Sequence, residues 1–184
     1  MKNVYLFAAD GFEEVEALTV VDLLHRSGVC CKIVSITGKE LVVSSHNITI
    51  KADMLFDASL LADGDMLVLP GGMPGTNHLM AHEELKKLLI SYAKKDKYLA
   101  AICAAPSVLG QAGLLKEKEA TCYPGFEEKL SGAKLSTEHV VADGNIITSR
   151  GLGTAIDFAL ELVRLLTDSD TAAALADSIQ YTQA

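Results

Sequence analysis

Basic residues are scarce in this chain: 16 lysines and arginines stand against 24 acids, a formal charge of −8 over 184 residues. A protein that grips a phosphate backbone shows a basic face, so a stable nucleic-acid complex is not expected, and the acidic balance serves solubility. Also missing is any apolar run near the roughly 20 residues of a membrane-spanning helix. The N-terminal stretch ending at Ala8 is apolar but runs straight into Asp10, Glu13 and Glu14, so it reads as a buried strand rather than an export signal. The four cysteines, Cys30, Cys31, Cys103 and Cys122, lack the spacing of a metal site or a disulfide framework. The expectation is a cytoplasmic protein with reduced thiols and neither metal nor cofactor. Repeats, low-complexity tracts and linkers are absent. With 49% apolar and 22% charged residues the chain has the composition and length of one domain, residues 1–184, with a substantial core.

What is present alternates between strand and helix periods. Strands are expected at Lys2–Ala8, Cys31–Ile36, Asp65–Leu69 and Leu99–Ile102. Helices are expected at Glu13–Ser27, Ala81–Lys94, Pro106–Gln111 and Thr171–Gln180. Leu41–Ser44 and Asn47–Lys51 read as a small antiparallel pair set to one side, and Asp143-Gly144-Asn145 as the turn of a hairpin between Val140–Val141 and Ile146–Thr148. Thr154 and Asp157 have capping-box spacing before a further helix. Repeated βα units imply an α/β fold, a flavodoxin-like three-layer α/β/α sandwich with a mainly parallel sheet.

Three strand ends carry unusual residues. Leu99 to Ile102 is an apolar strand that ends in Cys103 and turns through Ala104-Ala105-Pro106 into a helix. That is the form of a nucleophile elbow, with the thiol at the carboxyl edge of the sheet, near helix N-terminal amides that favour thiolate. Pro70-Gly71-Gly72 supplies amides that can approach a ligand closely. After the first strand, Glu16 shares a helical stripe with Val20 and Leu23, so it turns toward the core and its pKa should rise. A protonated carboxyl there can donate to a thiolate and pass a proton on. Glu14 reads as a complement to the helix N-terminus. Cys30 and Cys31 face opposite sides of a strand and read as packing, as does Cys122. His78 and His82, four residues apart without a third ligand, read as a solvated helix face.

Together these segments resemble the DJ-1/ThiJ/PfpI superfamily, in its small single-domain DJ-1 and ThiJ-like (YajL-like) branch. The motifs are Asp10-Gly11-Phe12-Glu13-Glu14-Val15-Glu16, Leu69-Pro70-Gly71-Gly72, Ala101-Ile102-Cys103-Ala104-Ala105-Pro106 and Thr148-Ser149-Arg150-Gly151-Leu152-Gly153-Thr154. The resemblance implies a homodimer in contact through the helix Glu13–Ser27 and the hairpin around His46. It implies that Cys103 is the oxidation-prone cysteine, Glu16 the protonated glutamate beside it, Gly72 a pocket amide and Glu13 a further acid lining the site. It also implies glutathione-independent action on small α-oxoaldehydes such as methylglyoxal and glyoxal, or on their early adducts with proteins and nucleotides. Oxidative-stress sensing and chaperone activity are the alternatives, and an amidotransferase or peptidase is a third.

In this reading Cys103 and Glu16 are catalytic, with Glu13, Gly71, Gly72 and Ala104 binding substrate or oxyanion. Four positions depart from the family pattern. Ala104 stands where protease-like members carry histidine, and Tyr123 where many relatives place a pocket histidine, so a peptidase is disfavoured. His46 stands where the DJ-1 branch has an arginine reaching across the dimer. Leu152 replaces a common proline, read as a packing change.

Overall fold

The computed structural model describes residues 2–182. In chain order the elements are β1 (Asn3–Ala8), α1 (Glu14–Arg26), β2 (Cys30–Ser35), β3 (Leu41–Val43), β4 (Thr49–Lys51), β5 (Met54–Leu55), α2 (Ala58–Leu61) and β6 (Met66–Leu69). There follow α3 (Gly75–Ala81), α4 (Glu83–Lys94), β7 (Tyr98–Ile102), α5 (Pro106–Gln111), β8 (Glu119–Ala120) and β9 (Lys134–Leu135). β10 (Val140–Asp143), β11 (Ile146–Ser149), α6 (Ala155–Leu166) and α7 (Ser169–Ser178) complete the described chain. Among the described residues no helix is long and apolar enough to cross a membrane.

A seven-stranded sheet in the order β10-β11-β7-β6-β1-β2-β5 forms the middle layer. Every neighbouring pair is parallel except β10 with β11, the hairpin expected around Gly144. Side chains alternate across it as strand geometry requires. Met66, Val68, Ala100 and Ile102 face a core shared with Val20 and Leu24 of α1 and Phe158 and Leu162 of α6. Leu67, Leu69, Leu99 and Ala101 face the opposite core with Leu85 and Leu89 of α4 and Leu109 of α5. The result is the expected flavodoxin-like α/β/α arrangement, with the small β3-β4 pair beside it.

Two local expectations are corrected. The helix expected at 81–94 is α4 and begins two residues later, at Glu83, because His82 has an extended backbone that ends the unexpected α3 and caps α4, its Nδ1 accepting from the Leu85 amide at 3.0 Å. The capping box expected at Thr154 and Asp157 does not form: Thr154 is the N-cap of α6 but makes no side-chain bond into that helix, because a 3-10 turn at Leu152–Thr154 precedes it. Thr154 Oγ1 looks back instead, accepting the Gly151 amide at 3.1 Å and lying 2.7 Å from the Ser149 hydroxyl. Asp157 takes the Tyr181 hydroxyl at 2.7 Å, tying the end of α7 to α6. Thr154→Val leaves the buried Gly151 amide without its acceptor. We expect a loss of about 1–3 kcal/mol in urea unfolding at unchanged m-value.

The chain runs from β1 to β2 on one side and then crosses to β6 and β7 on the other, so the switch in strand order falls between β6 and β1. In open parallel sheets the crevice at the carboxyl ends of such strands is where ligands bind. β7, β6 and β1 are consecutive there, which brings Cys103, Gly71-Gly72 and the start of α1 to one place.

Candidate active site

Cys103 follows β7 in the left-handed backbone region, with φ of 65°, a conformation that costs a residue with a Cβ of the order of 1 kcal/mol or more. Flanking elements hold it there. Its amide donates to the Ser149 carbonyl at the end of β11 (2.9 Å), and its carbonyl accepts the Tyr123 amide (2.8 Å). Glu16 arrives from α1 on the stripe that also buries Val20 and Leu23, and it is 1% exposed. Its Oε2 accepts the Gly71 amide at 2.9 Å, and its carboxyl hydrogen-bonds the Cys103 thiol. The amides of Ala104 and Gly72 face the sulfur.

The approach is close enough to demand glycine. A Cβ on Gly71 would lie 2.6 Å from the Cys103 Cβ and 2.7 Å from Glu16 Oε2. Gly72 has φ of 91°, and a Cβ there would meet the Glu13 amide nitrogen at 2.3 Å. Gly71 therefore positions Glu16 with its N–H, while Gly72 and Ala104 supply the amides left for a developing negative charge.

Burial raises the Glu16 carboxyl to about 7, aided by the charge of Glu13 and opposed by the Gly71 amide and the Cys103 thiol. Burial also pushes the Cys103 thiol up to about 12. The negative charge of Glu16 and its hydrogen bond add to this, while the Ala104 and Gly72 amides pull the other way. This corrects the expectation that helix amides would favour thiolate: α5 is six residues long, and desolvation outweighs it. Above about pH 7 the pair holds one proton, resting on sulfur beside a carboxylate, and below that pH it holds two. The thiolate beside a protonated acid is the higher-energy placement of that one proton.

Stability should follow the same titration. The folded chain keeps the Glu16 proton up to about pH 7, whereas an unfolded glutamate loses it near 4.5. The contribution of neutral Glu16 is thus whole below pH 4.5 and lost as pH rises through 7. At about 1.4 kcal/mol per pKa unit this is about 3 kcal/mol. Denaturation at a series of pH values should show that slope in the wild type and its loss in Glu16→Gln.

The other expected residues are placed as follows. Glu13 lies at the rim, its Oε2 accepting from the Ser45 hydroxyl at 3.1 Å. Glu14 does more than complement a helix end: it is buried and pairs with His46 Nδ1 at 2.9 Å. Against burial, its own amide, Ser44 and His46 hold its carboxyl below the ordinary value. Cys31 and Cys122 are core residues as expected, with thiols pushed by burial up to about 12 and about 11. His78 is exposed on α3, as the reading of a solvated face expects, whereas His82 is half-buried at the junction of α3 and α4 and shares no helix face with it. His78 Nδ1 lies 2.9 Å from the Asp10 carbonyl, and both rings line a cleft of about 330 Å³ with Ile36 and Thr37.

Leu152 is a further correction. It is 51% exposed, so the change from proline is made at a surface rather than in packing. It lines a groove of about 540 Å³ with Tyr123, His139, Arg150 and Gly151. Gly151 and Tyr123 separate this groove from the sulfur, since a Cβ on Gly151 would lie 3.2 Å from the Tyr123 ring and 3.9 Å from Sγ. From sequence, Tyr123 stands out only as a position that lacks the histidine of many relatives. The Tyr123-Pro124-Gly125 turn after β8 is the sequence signal that marks it as a lining residue.

A flavodoxin-like sheet that carries a strained cysteine elbow beside a buried glutamic acid defines a class of cysteine-centred α/β proteins. The chain belongs to the DJ-1/PfpI family, whose model matches residues 2–165. It is 35% identical over 176 residues to the Parkinson disease protein 7 homolog of Danio rerio, covering 94% of this chain and 93% of that protein. It is 38% identical over 156 residues to protein DJ-1 homolog B of Arabidopsis thaliana, covering 84% of this chain but only 36% of that longer protein. A Pyrococcus abyssi protein named as a deglycase is 29% identical over 166 residues, covering 89% of this chain and 99% of that one. Among solved structures, oxidized Toxoplasma gondii DJ-1 superposes with a TM-score of 0.93 at 32% identity over 100% of both chains.

Proposed function

We propose that the protein is a cysteine-dependent, glutathione-independent enzyme acting on small α-oxoaldehydes such as methylglyoxal and glyoxal, or on their early adducts with proteins and nucleotides. The observation that carries this reading is the hydrogen-bonded Cys103–Glu16 pair, which holds one transferable proton above pH 7 with two free amides beside it. The sulfur attacks the aldehyde carbon as its proton passes to Glu16. The resulting oxyanion is held by the Gly72 and Ala104 amides and takes the proton back, giving a hemithioacetal. Glu16 then removes the proton from C1 and returns it to C2, while the proton of the C1 hydroxyl passes to the oxygen on C2. C1 is thereby oxidised to a thioester and the carbonyl at C2 is reduced to an alcohol, so no external oxidant or reductant is required. Water cleaves the thioester, releases lactate or glycolate, and restores the thiol.

The name of the archaeal relative supports the same chemistry. A homodimer belongs to this reading, since α1 and the β3-β4 pair expose Val15, Leu18, Leu41, Val43 and Ile48. Ala104 leaves Cys103 without an adjacent histidine, which weighs against a peptidase. The deciding experiment is lactate formation from methylglyoxal without metal or glutathione, comparing wild type with Cys103→Ser. Turnover retained by Cys103→Ser would overturn the proposal.

One observation favours a second reading: the amides of Gly72 and Ala104 that face Sγ would equally hold a sulfinate on an oxidised Cys103. A redox sensor of this kind, with a chaperone role downstream, predicts stoichiometric sulfinic acid under mild peroxide and no lactate.

A further inference from the structure

We propose that Ser149 and Thr154 are positioning residues for Cys103, their two hydroxyls forming a buried clamp that fixes the elbow and the wall of its pocket. The inference rests on the reading of Cys103 as the reacting group and not on the identity of its substrate. Ser149 ends β11 and is wholly buried, and Thr154, at the head of α6, is 8% exposed. Ile147, two residues before Ser149 on the same strand face, packs into the core with Phe158 of α6. Packing alone would be served by apolar side chains at both positions. The hydroxyls do something that an apolar pair cannot.

The Ser149 hydroxyl lies 2.8 Å from the His139 carbonyl and 2.7 Å from Thr154 Oγ1. Thr154 Oγ1 also accepts the Gly151 amide at 3.1 Å and lies 2.9 Å from the Gly151 carbonyl. Each hydroxyl has one proton, which decides the order. The Gly151 carbonyl already takes the Thr154 amide at 2.9 Å, so the Thr154 hydroxyl donates to Ser149 and the Ser149 hydroxyl to His139. The Gly151 N–H, the two O–H groups and the His139 carbonyl then form one directed chain, each bond polarising the next. It joins the strand end at Ser149 to the segment before β10 and to the turn after β11.

Both ends of the clamp bear on the sulfur. The Ser149 carbonyl accepts the Cys103 amide at 2.9 Å, one of the two bonds that hold Cys103 at φ of 65°. β11 pairs with β7 only as far as Ser149 and Ile102, so beyond that pair the ladder no longer fixes the carbonyl, and the clamp does so instead. At the other end Gly151 forms the pocket wall, a Cβ built on it lying 3.9 Å from Sγ. A cysteine in the left-handed region persists only where its surroundings over-determine it. Loss of one restraint lets the elbow relax and draws Sγ away from Glu16. The groups that bond Sγ are Glu16 and the Ala104 and Gly72 amides, so the uncharged clamp acts through geometry alone.

The test compares wild type with Thr154→Val, Thr154→Ser and Ser149→Ala in two assays. One is turnover of methylglyoxal, and the other is alkylation of Cys103 by iodoacetamide at pH 8, followed by mass spectrometry. Thr154→Val should lower kcat by about tenfold or more with KM little changed, as small misplacements of reacting groups do. Its Cys103 should be alkylated about tenfold faster, because a sulfur moved toward solvent and away from the Glu16 carboxylate loses the two largest causes of its raised pKa. Ser149→Ala should show the same opposed pair of changes. Thr154→Ser keeps the hydroxyl and should restore wild-type values in both assays. A merely structural hydroxyl would lower the unfolding midpoint and leave both rates of the folded protein as they were. That result, or Thr154→Ser as impaired as Thr154→Val, would overturn the proposal. Should the wild type fail to turn over methylglyoxal, the proposed activity falls while the alkylation assay still decides the clamp. Ser149→Ala decides it if Thr154→Val does not fold.

Discussion

Replacing Cys103 by serine should lower lactate formation from methylglyoxal to the level of buffer, and replacing Glu16 by glutamine should lower it by about 10² to 10⁴. Serine keeps a hydroxyl at the elbow, so the backbone held by Ser149 and Tyr123 is preserved and the loss reports chemistry. Glutamine still accepts the Gly71 amide but cannot take a proton from the sulfur. The pH profile separates the two roles. Because burial places the Glu16 titration at about 7, the pair loses its second proton there, and only the singly protonated pair can pass a proton from sulfur to carboxylate. Wild-type kcat/KM should therefore rise with pH through about 7 and level off. Glu16→Gln should lack that step, its residual rate climbing at higher pH as the buried thiol ionises directly. A wild-type rate that falls as pH rises through 7 would mean that the protonated acid, not the carboxylate, begins the reaction.

Gly71→Ala should be nearly as damaging to activity, although it adds a single methyl group. That carbon would meet the Cys103 Cβ at 2.6 Å, Glu16 Oε2 at 2.7 Å and Sγ at 3.1 Å. Real Cβ atoms do not approach so closely, so the thiol and the carboxyl must be driven apart. The Gly71 backbone is not in the left-handed region, which makes collision rather than strain the cause. We expect a loss of about 1–3 kcal/mol in stability from overpacking. The loss in kcat/KM should exceed about tenfold, as a small misplacement of reacting groups commonly costs even more. Steady-state kinetics combined with denaturant unfolding distinguishes the outcomes. A variant that is destabilised but fully active would show that the Cys103–Glu16 contact is not the working geometry.

The layered fold was legible because its signals are local and repeated. Apolar strand runs, helical stripes such as Glu16, Val20 and Leu23, and the turn at Gly144 each follow from backbone periodicity within a few residues. Pro106 marked the start of α5, and the expected range 106–111 matches the observed helix. Legibility failed where one side chain decides between competing local structures. His82 can continue a helix or cap one, and Thr154 can face forward to Asp157 or back to Gly151. Neither choice is visible without the neighbours that take up the hydrogen bonds.

For the candidate site, the sequence by itself determined which residue types stand at three strand ends: a thiol, paired glycines and an acid on an apolar stripe. Only the tertiary structure decided what they do to one another. Strand order placed β7, β6 and β1 side by side, so residues more than 50 positions apart, Gly71 and Glu16, share a hydrogen bond of 2.9 Å. Burial of that contact set the ionisation, raising Glu16 and lifting Cys103 still further, where a helix N-terminus read from sequence had pointed to thiolate. Packing of the β3-β4 turn against the start of α1 likewise turned Glu14 from a helix-end charge into a buried partner of His46. The physical reason is common to all three: desolvation and charge proximity depend on which distant segments exclude water together, and periodicity along the chain carries no record of that.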